Sequence, residues 1–219
     1  MKILICGDSY AVTDSDYPGL HWSEKILDFS PNFEIINLAH GGCSNALIAL
    51  QLSQGLRFNP NFVIFSFTSP NRYEYDKEVS ALPKSLDPMD IAEYIKNRYT
   101  TNKYEENKER NKSTLIYTTE TASMNFEWLK NYFYIMYALN TVQTQNIKFC
   151  YSLGGFEYKQ DYKMSLNNNF ISNDLMQYQD RELLTNLWQY EKKSRPYFHV
   201  DNDQVQTLFA NQCIEYING

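Results

Sequence analysis

The sequence predicts an α/β protein, a three-layer α/β/α domain built around a mostly parallel sheet. Three observations lead there. Short apolar runs at Lys2 to Cys6, Phe33 to Leu38, Phe62 to Phe67 and Ile147 to Leu153 are too continuous for strands with one wet face. Segments with helical spacing separate the first three and precede the fourth, and strand-helix alternation is the pattern of parallel strands joined by helical crossovers. Turn residues, Ser30-Pro31-Asn32 and Asn59-Pro60-Asn61, punctuate the elements where a crossover must reverse direction.

Element by element, the first strand ends at Gly7 and runs into Asp8-Ser9. Trp22, Ile26 and Phe29 mark the inner side of the first helix. Ser44 or Asn45 caps a second helix reaching to about Phe58, with Leu47, Leu50 and Leu52 or Gln54 facing inward. A polar insertion at about 72–114 follows the third strand, with one short helical stretch from Pro88 to Tyr99. Met124 to about Gln145 reads as a long helix whose core stripe is Leu129, Tyr132, Phe133, Met136, Leu139 and Val142. After the fourth strand comes a polar stretch to Asn173, then a helix from Asp180 to Lys192. A last helix runs from about Asp203 to Ile217, with Val205, Leu208, Phe209, Cys213, Tyr216 and Ile217 inward. One domain, 1–219, accounts for the whole chain.

Composition narrows the function classes. With 219 residues and 43% hydrophobic content the chain can build a real core. A net charge of −6 argues against a nucleic-acid partner. The four cysteines, Cys6, Cys43, Cys150 and Cys213, are widely spaced and form no C-x-x-C pair, so they suggest reduced buried thiols rather than a metal site. No signal peptide or membrane-length apolar segment is evident, and a cytoplasmic setting without a membrane partner is the expectation. The 18 tyrosines read chiefly as core and half-buried positions. Neither G-x-G-x-x-G after the first strand nor G-x-x-x-x-G-K-[ST] occurs, which argues against a nucleotide-binding domain.

Gly7-Asp8-Ser9 gains meaning from its place. It follows the first buried strand, and open α/β sheets carry their sites at the strands' carboxyl ends. A serine nucleophile needs a base, and the chain offers His21, His40 and His199. His199 lies on the loop before the final helix, from which a return to the first strand's carboxyl end is feasible.

On these residues, in this order, the chain resembles the SGNH or GDSL hydrolase family. That family carries its nucleophile in an N-terminal Gly-Asp-Ser block and its histidine just ahead of the last helix. The resemblance implies the SGNH hydrolase-like, flavodoxin-like arrangement of the fold, with Ser9 and His199 catalytic. In the second block, Asn37-Leu-Ala-His-Gly-Gly-Cys-Ser-Asn45, it implies Gly42 as a backbone oxyanion donor beside the N–H of Ser9, with Gly41 the competing choice.

Two blocks depart from the family. Pro70 stands where the family's oxyanion asparagine is expected, so that role passes to Asn71, or to the hydroxyls of Thr68 and Ser69. Pro196 stands where the aspartate that orients the histidine is expected. Asp201 and Asp203 are the candidate replacements, Asp203 being equally suited to cap the last helix, and a backbone carbonyl behind His199 is a further option. Asp8, His40, Asn45 and Arg72 are candidate substrate contacts. Arg72 either binds an anionic group or pairs with Glu74 on the surface.

The function implied is ester hydrolysis through an acyl-enzyme, on a small-molecule or carbohydrate ester such as an O-acetyl sugar, with no cofactor and no metal. The competing reading is a catalytically silent module of the same fold that binds a glycan or a protein partner.

Overall fold

A computed structural model of the chain describes residues 1–13, 18–70, 72, 74–75, 99–100, 124–153 and 203–219. Four strands form one parallel sheet: β1 (Lys2–Gly7), β2 (Glu34–Asn37), β3 (Phe62–Ser66) and β6 (Lys148–Ser152), in the order β2-β1-β3-β6. Ile3 to Gly7 of β1 stand opposite Phe62 to Ser66 of β3. The chain goes from β1 to one neighbour, β2, and then to the other, β3. The order therefore reverses at β1, and the crevice beyond the carboxyl ends of β1 and β3 is the place where such sheets bind ligands.

Alternate residues of each strand feed two separate cores, which is why the strands read as unbroken apolar runs. Leu4, Cys6, Val63, Phe65, Phe149 and Tyr151 pack with α2 (Asn45–Gly55) and α3 (Met124–Thr144) on one face. Ile3, Ile5, Phe62, Ile64 and Cys150 pack on the other with α1 (Trp22–Lys25) and α4 (Asp203–Asn218). Helices on both faces complete the three-layer α/β/α arrangement that the alternation predicts.

Differences from the expected packing have local causes. Ile26–Phe29 continues α1 as a 3-10 turn, and its tighter winding carries Phe29 out to 49% exposure. In α2, capped by Ser44 whose side chain accepts from the Leu47 N–H, Leu50 faces solvent while Leu47, Ile48 and Leu52 fill the core. In α3 Phe133 is 61% exposed, and the buried side includes Asn131, Ile135, Ala138 and Val142. Leu208 of α4 also faces outward, whereas Phe209, Cys213 and Ile217 are buried as expected.

Within the segment predicted as an insertion, β4 (Glu74–Tyr75) and β5 (Tyr99–Thr100) pair antiparallel, so Tyr99 belongs to a strand rather than to the end of a helix. The rest of the stretch from Pro88 and the expected helix from Asp180 to Lys192 lie outside the described residues. Among the described residues no helix is long and apolar enough to cross a membrane.

Candidate active site

β1 delivers Gly7, Asp8 and Ser9 to the reversal point. Only glycine fits at position 7, because a Cβ there would stand 2.7 Å from the Ala11 Cβ and 2.9 Å from the Ser66 Cβ. The Gly7 backbone is closed by Gln51 of α2, whose Oε1 accepts from the Gly7 N–H (2.7 Å) and whose Nε2 donates to the Gly7 carbonyl (3.0 Å). The chain then turns, with the Ala11 N–H donating to the Asp8 carbonyl (3.0 Å). Ser9 is left half-buried at the head of the strand.

Asp8 has no solvent exposure. Its Oδ1 accepts from the Tyr10 N–H (3.0 Å), and its Oδ2 accepts from the Thr68 hydroxyl (2.7 Å) and faces Nη1 of Arg72 at 3.2 Å. Burial pushes the carboxyl above its ordinary range, opposed first by the Arg72 charge and then by the hydrogen bonds from Thr68 and Tyr10. Asp8 thus has no surface to offer a substrate, correcting that expectation. Arg72 does not lie on the open surface: its side chain is only 12% exposed and pairs with Asp8, while the Glu74 side chain lies outside the described residues.

The second block approaches from β2. The N–H groups of Leu38 and His40 donate to the carbonyls of Ile5 (2.9 Å) and Gly7 (3.1 Å), extending the parallel pairing past the strand. His40, Gly41, Gly42 and Cys43 then form a turn in which the Cys43 N–H donates to the His40 carbonyl (3.3 Å) and Gly42 has φ +78°. Those are the features of a type II turn, whose third position favours glycine. The turn lies against the serine: a Cβ on Gly41 would stand 3.8 Å from the Ser9 Cβ. Among the described residues, the N–H groups of Ser9, Gly41 and Gly42 meet no acceptor.

The loop after β3 is locked by buried amides. Asn45 makes a two-point contact with the Thr68 backbone, its Oδ1 accepting from the N–H (2.9 Å) and its Nδ2 donating to the carbonyl (3.1 Å). The same Nδ2 donates to Oδ1 of Asn131 (2.9 Å), and the Asn131 Nδ2 donates to the Pro70 carbonyl (2.8 Å). Asn45 is therefore fully buried scaffolding and not a substrate contact. Asn131 escaped the sequence reading, since a lone asparagine in a helix announces no partner.

The histidines separate clearly. His21 caps α1, its Nδ1 accepting from the Ser23 N–H (3.2 Å) and its Nε2 donating to the Tyr10 carbonyl (3.0 Å). It is fully buried, burial lowers its pKa to about 4, and it is neutral structure rather than a base. His40 is half-buried with Nδ1 donating to the Gly41 carbonyl (2.9 Å), which leaves Nε2 unprotonated in the neutral ring.

His199, Asn71 and Asp201 lie outside the described residues. Asp203 opens α4, and its carboxylate is paired with Lys25 at 2.6 Å. That end of α4 is tied to the serine turn through α1. Gln206 accepts from the Trp22 N–H (2.9 Å), and the Trp22 indole donates to the Tyr10 carbonyl (2.8 Å).

All four cysteines are free and buried. Burial, reinforced by the Asp8 charge, holds the Cys43 thiol up at about 12, so it does not compete with Ser9 as a nucleophile. Among the described residues no three His, Cys, Asp or Glu side chains cluster as metal ligands.

No family model matches the chain, and no curated protein matches it in sequence. Solved structures do. An acetyl xylan esterase aligns over 99% of this chain and 100% of its own with 13% identity and a TM-score of 0.49. A psychrotrophic esterase from a Pseudoalteromonas species, solved inhibited by monoethylphosphonate, aligns over 99% and 96% with 11% identity and a TM-score of 0.52. A member of the lipolytic G-D-S-L family from Veillonella parvula aligns over 98% and 96% with 11% identity and a TM-score of 0.44. The parallel sheet, its two helical layers and the match to the Pseudoalteromonas esterase together give this chain the α/β fold of the SGNH hydrolases.

Proposed function

We propose that the protein is an ester hydrolase with Ser9 as nucleophile, acting on a small-molecule or carbohydrate ester. The observation that carries this reading is the pairing of Ser9 with the Gly41–Gly42 turn, where three backbone N–H groups lack acceptors among the described residues at the head of β1. Backbone donors left open beside a hydroxyl suit an oxyanion, because they stabilise charge that develops only in the transition state.

In this mechanism His199 takes the Ser9 hydroxyl proton as Oγ bonds to the ester carbonyl carbon. The carbonyl electrons move to the oxygen, which the N–H groups of Ser9 and Gly42 hold, with Asn71 as a third donor. The tetrahedral species collapses, the C–O bond to the alcohol breaks, and His199 returns the proton to the alcohol. Water, deprotonated by His199, then releases the acid from Ser9 by the reverse steps. His199 precedes Asp203 by four residues, a span of at most about 14 Å. The start of α4 is itself tied, through Trp22, to the residue next to Ser9. Asp203 is committed to Lys25, so Asp201 or a backbone carbonyl orients His199.

A fluorophosphonate probe tests the reading. The wild-type protein is expected to be labelled at Ser9. Ser9→Ala and His199→Ala abolish the reaction, whereas His40→Ala keeps it. A folded wild-type protein that resists labelling rejects the hydrolase and leaves the glycan- or protein-binding module as the reading of the fold.

A further inference from the structure

Arg72 joins three segments of the candidate site that are far apart in sequence. Its Nη1 donates to the Cys43 carbonyl (3.1 Å) and faces Oδ2 of Asp8 (3.2 Å), while its backbone N–H donates to the Ser69 carbonyl (3.2 Å). Asp8 adjoins Ser9, and Cys43 adjoins Gly42. One side chain from the loop after β3 therefore holds both the nucleophile turn and the glycine turn.

Nothing about the placement is incidental. The side chain is 12% exposed, and its Nε is buried with no partner among the described residues, a cost accepted where other bonds dictate position. Asp8, wholly buried, would be an uncompensated charge without it. An arginine suits the task because both contacts leave from Nη1, on a planar, weakly hydrated group that keeps its charge when buried, whereas a lysine ammonium is strongly hydrated and loses its proton readily on burial.

We infer that Arg72 is a positioning residue, a clamp that holds the Ser9 turn against the Gly41–Gly42 turn so that nucleophile and oxyanion donors share one fixed geometry. Its chemical consequence rests on the ester-hydrolase reading. Its structural half does not.

The test uses the full chain and two readouts, the rate of fluorophosphonate labelling at Ser9 and amide hydrogen exchange at residues 8–10 and 41–43. Arg72→Ala is expected to slow labelling by about 10²-fold, the scale on which a small misplacement near the chemistry acts. Exchange should quicken in both segments together. Millimolar guanidinium should recover much of both effects, and Arg72→Lys should recover little.

Leu52→Ala supplies the control, since Leu52 is fully buried in the core and carries none of the site's hydrogen bonds. If it slows labelling as much as Arg72→Ala does, the clamp is overturned as a general loss of stability. The clamp is also overturned if Arg72→Ala leaves exchange at 41–43 at the wild-type rate. Should the wild-type protein resist the probe, the hydrolase reading falls alone, and coupled exchange of the two segments still decides the clamp.

Discussion

Gln51 stands beside Gly7 so that its Oε1 is 2.7 Å from the Gly7 nitrogen and its Nε2 is 3.0 Å from the Gly7 oxygen. One fully buried side chain on α2 thus answers both backbone groups of the last residue of β1. The pairing fixes the height at which the strand ends and the serine turn begins. Gln51→Leu keeps the volume but leaves a buried donor without a partner, and it is expected to cost about 2 kcal/mol. Urea unfolding should show a lower midpoint with an unchanged slope, since the surface exposed on unfolding stays the same.

His21 gives the protein an acid-sensitive element. Its pKa is lowered from 6.5 to about 4 by burial, so the unfolded chain binds this proton more readily than the folded one. The stabilisation is complete above pH 6.5 and is lost as pH falls from there toward 4, below which the loss levels off. A lowering of that size corresponds to about 3 kcal/mol across the window. His21→Asn keeps a capping oxygen for α1 and removes the titrating ring. Its stability curve between pH 6.5 and 4 should be flatter than the wild-type curve by about that amount, and parallel curves would mean the ring titrates normally.

Asn131 connects the long helix α3 to the loop that bears Arg72, through the Asn45 amide and the Pro70 carbonyl. Asn131→Leu strands that carbonyl and one amide hydrogen in a buried place, at a cost of about 2 kcal/mol. Because Thr68 and Arg72 on this loop both hold Asp8, probe labelling of Ser9 should slow as well. A variant that loses stability while labelling at the wild-type rate would show that the loop keeps its shape without the relay.

The strands were legible because each is buried on both faces, so burial wrote a continuous apolar run into the sequence. The Gly-Asp-Ser turn was legible for a related reason: Gly7 faces Ala11 and Ser66 too closely for any side chain. Residue type narrowed the cap of α2 to Ser44 or Asn45, and the structure places it at Ser44. The helix faces were read less well, because α2 and α4 have apolar residues on more than one side. Leu50 and Leu208 extend an apolar pattern into solvent, while Gln51 occupies a buried position that hydropathy assigns to the surface. The polar scaffold was hidden for a different reason. Asp8 meets Thr68 60 residues away, and Asn131 meets Asn45 86 residues away. A polar residue carries no mark of a distant partner.

The two glycines of the turn separate conformational need from simple closeness. Gly42 has φ +78°, where an L-residue pays about 1–2 kcal/mol, so Gly42→Ala should lower the unfolding midpoint and slow labelling by tilting the peptide that bears the donor. Gly41 carries no such requirement. An added Cβ there meets the Ser9 Cβ at 3.8 Å, an ordinary contact, so Gly41→Ala should stay within about 0.5 kcal/mol of wild type. Labelling by a small fluorophosphonate should then persist at the wild-type rate in Gly41→Ala and be slowed in Gly42→Ala. The reverse pattern, with Gly41→Ala stable yet unlabelled, would put the acyl group against Gly41 and transfer the donor role from Gly42 to its neighbour.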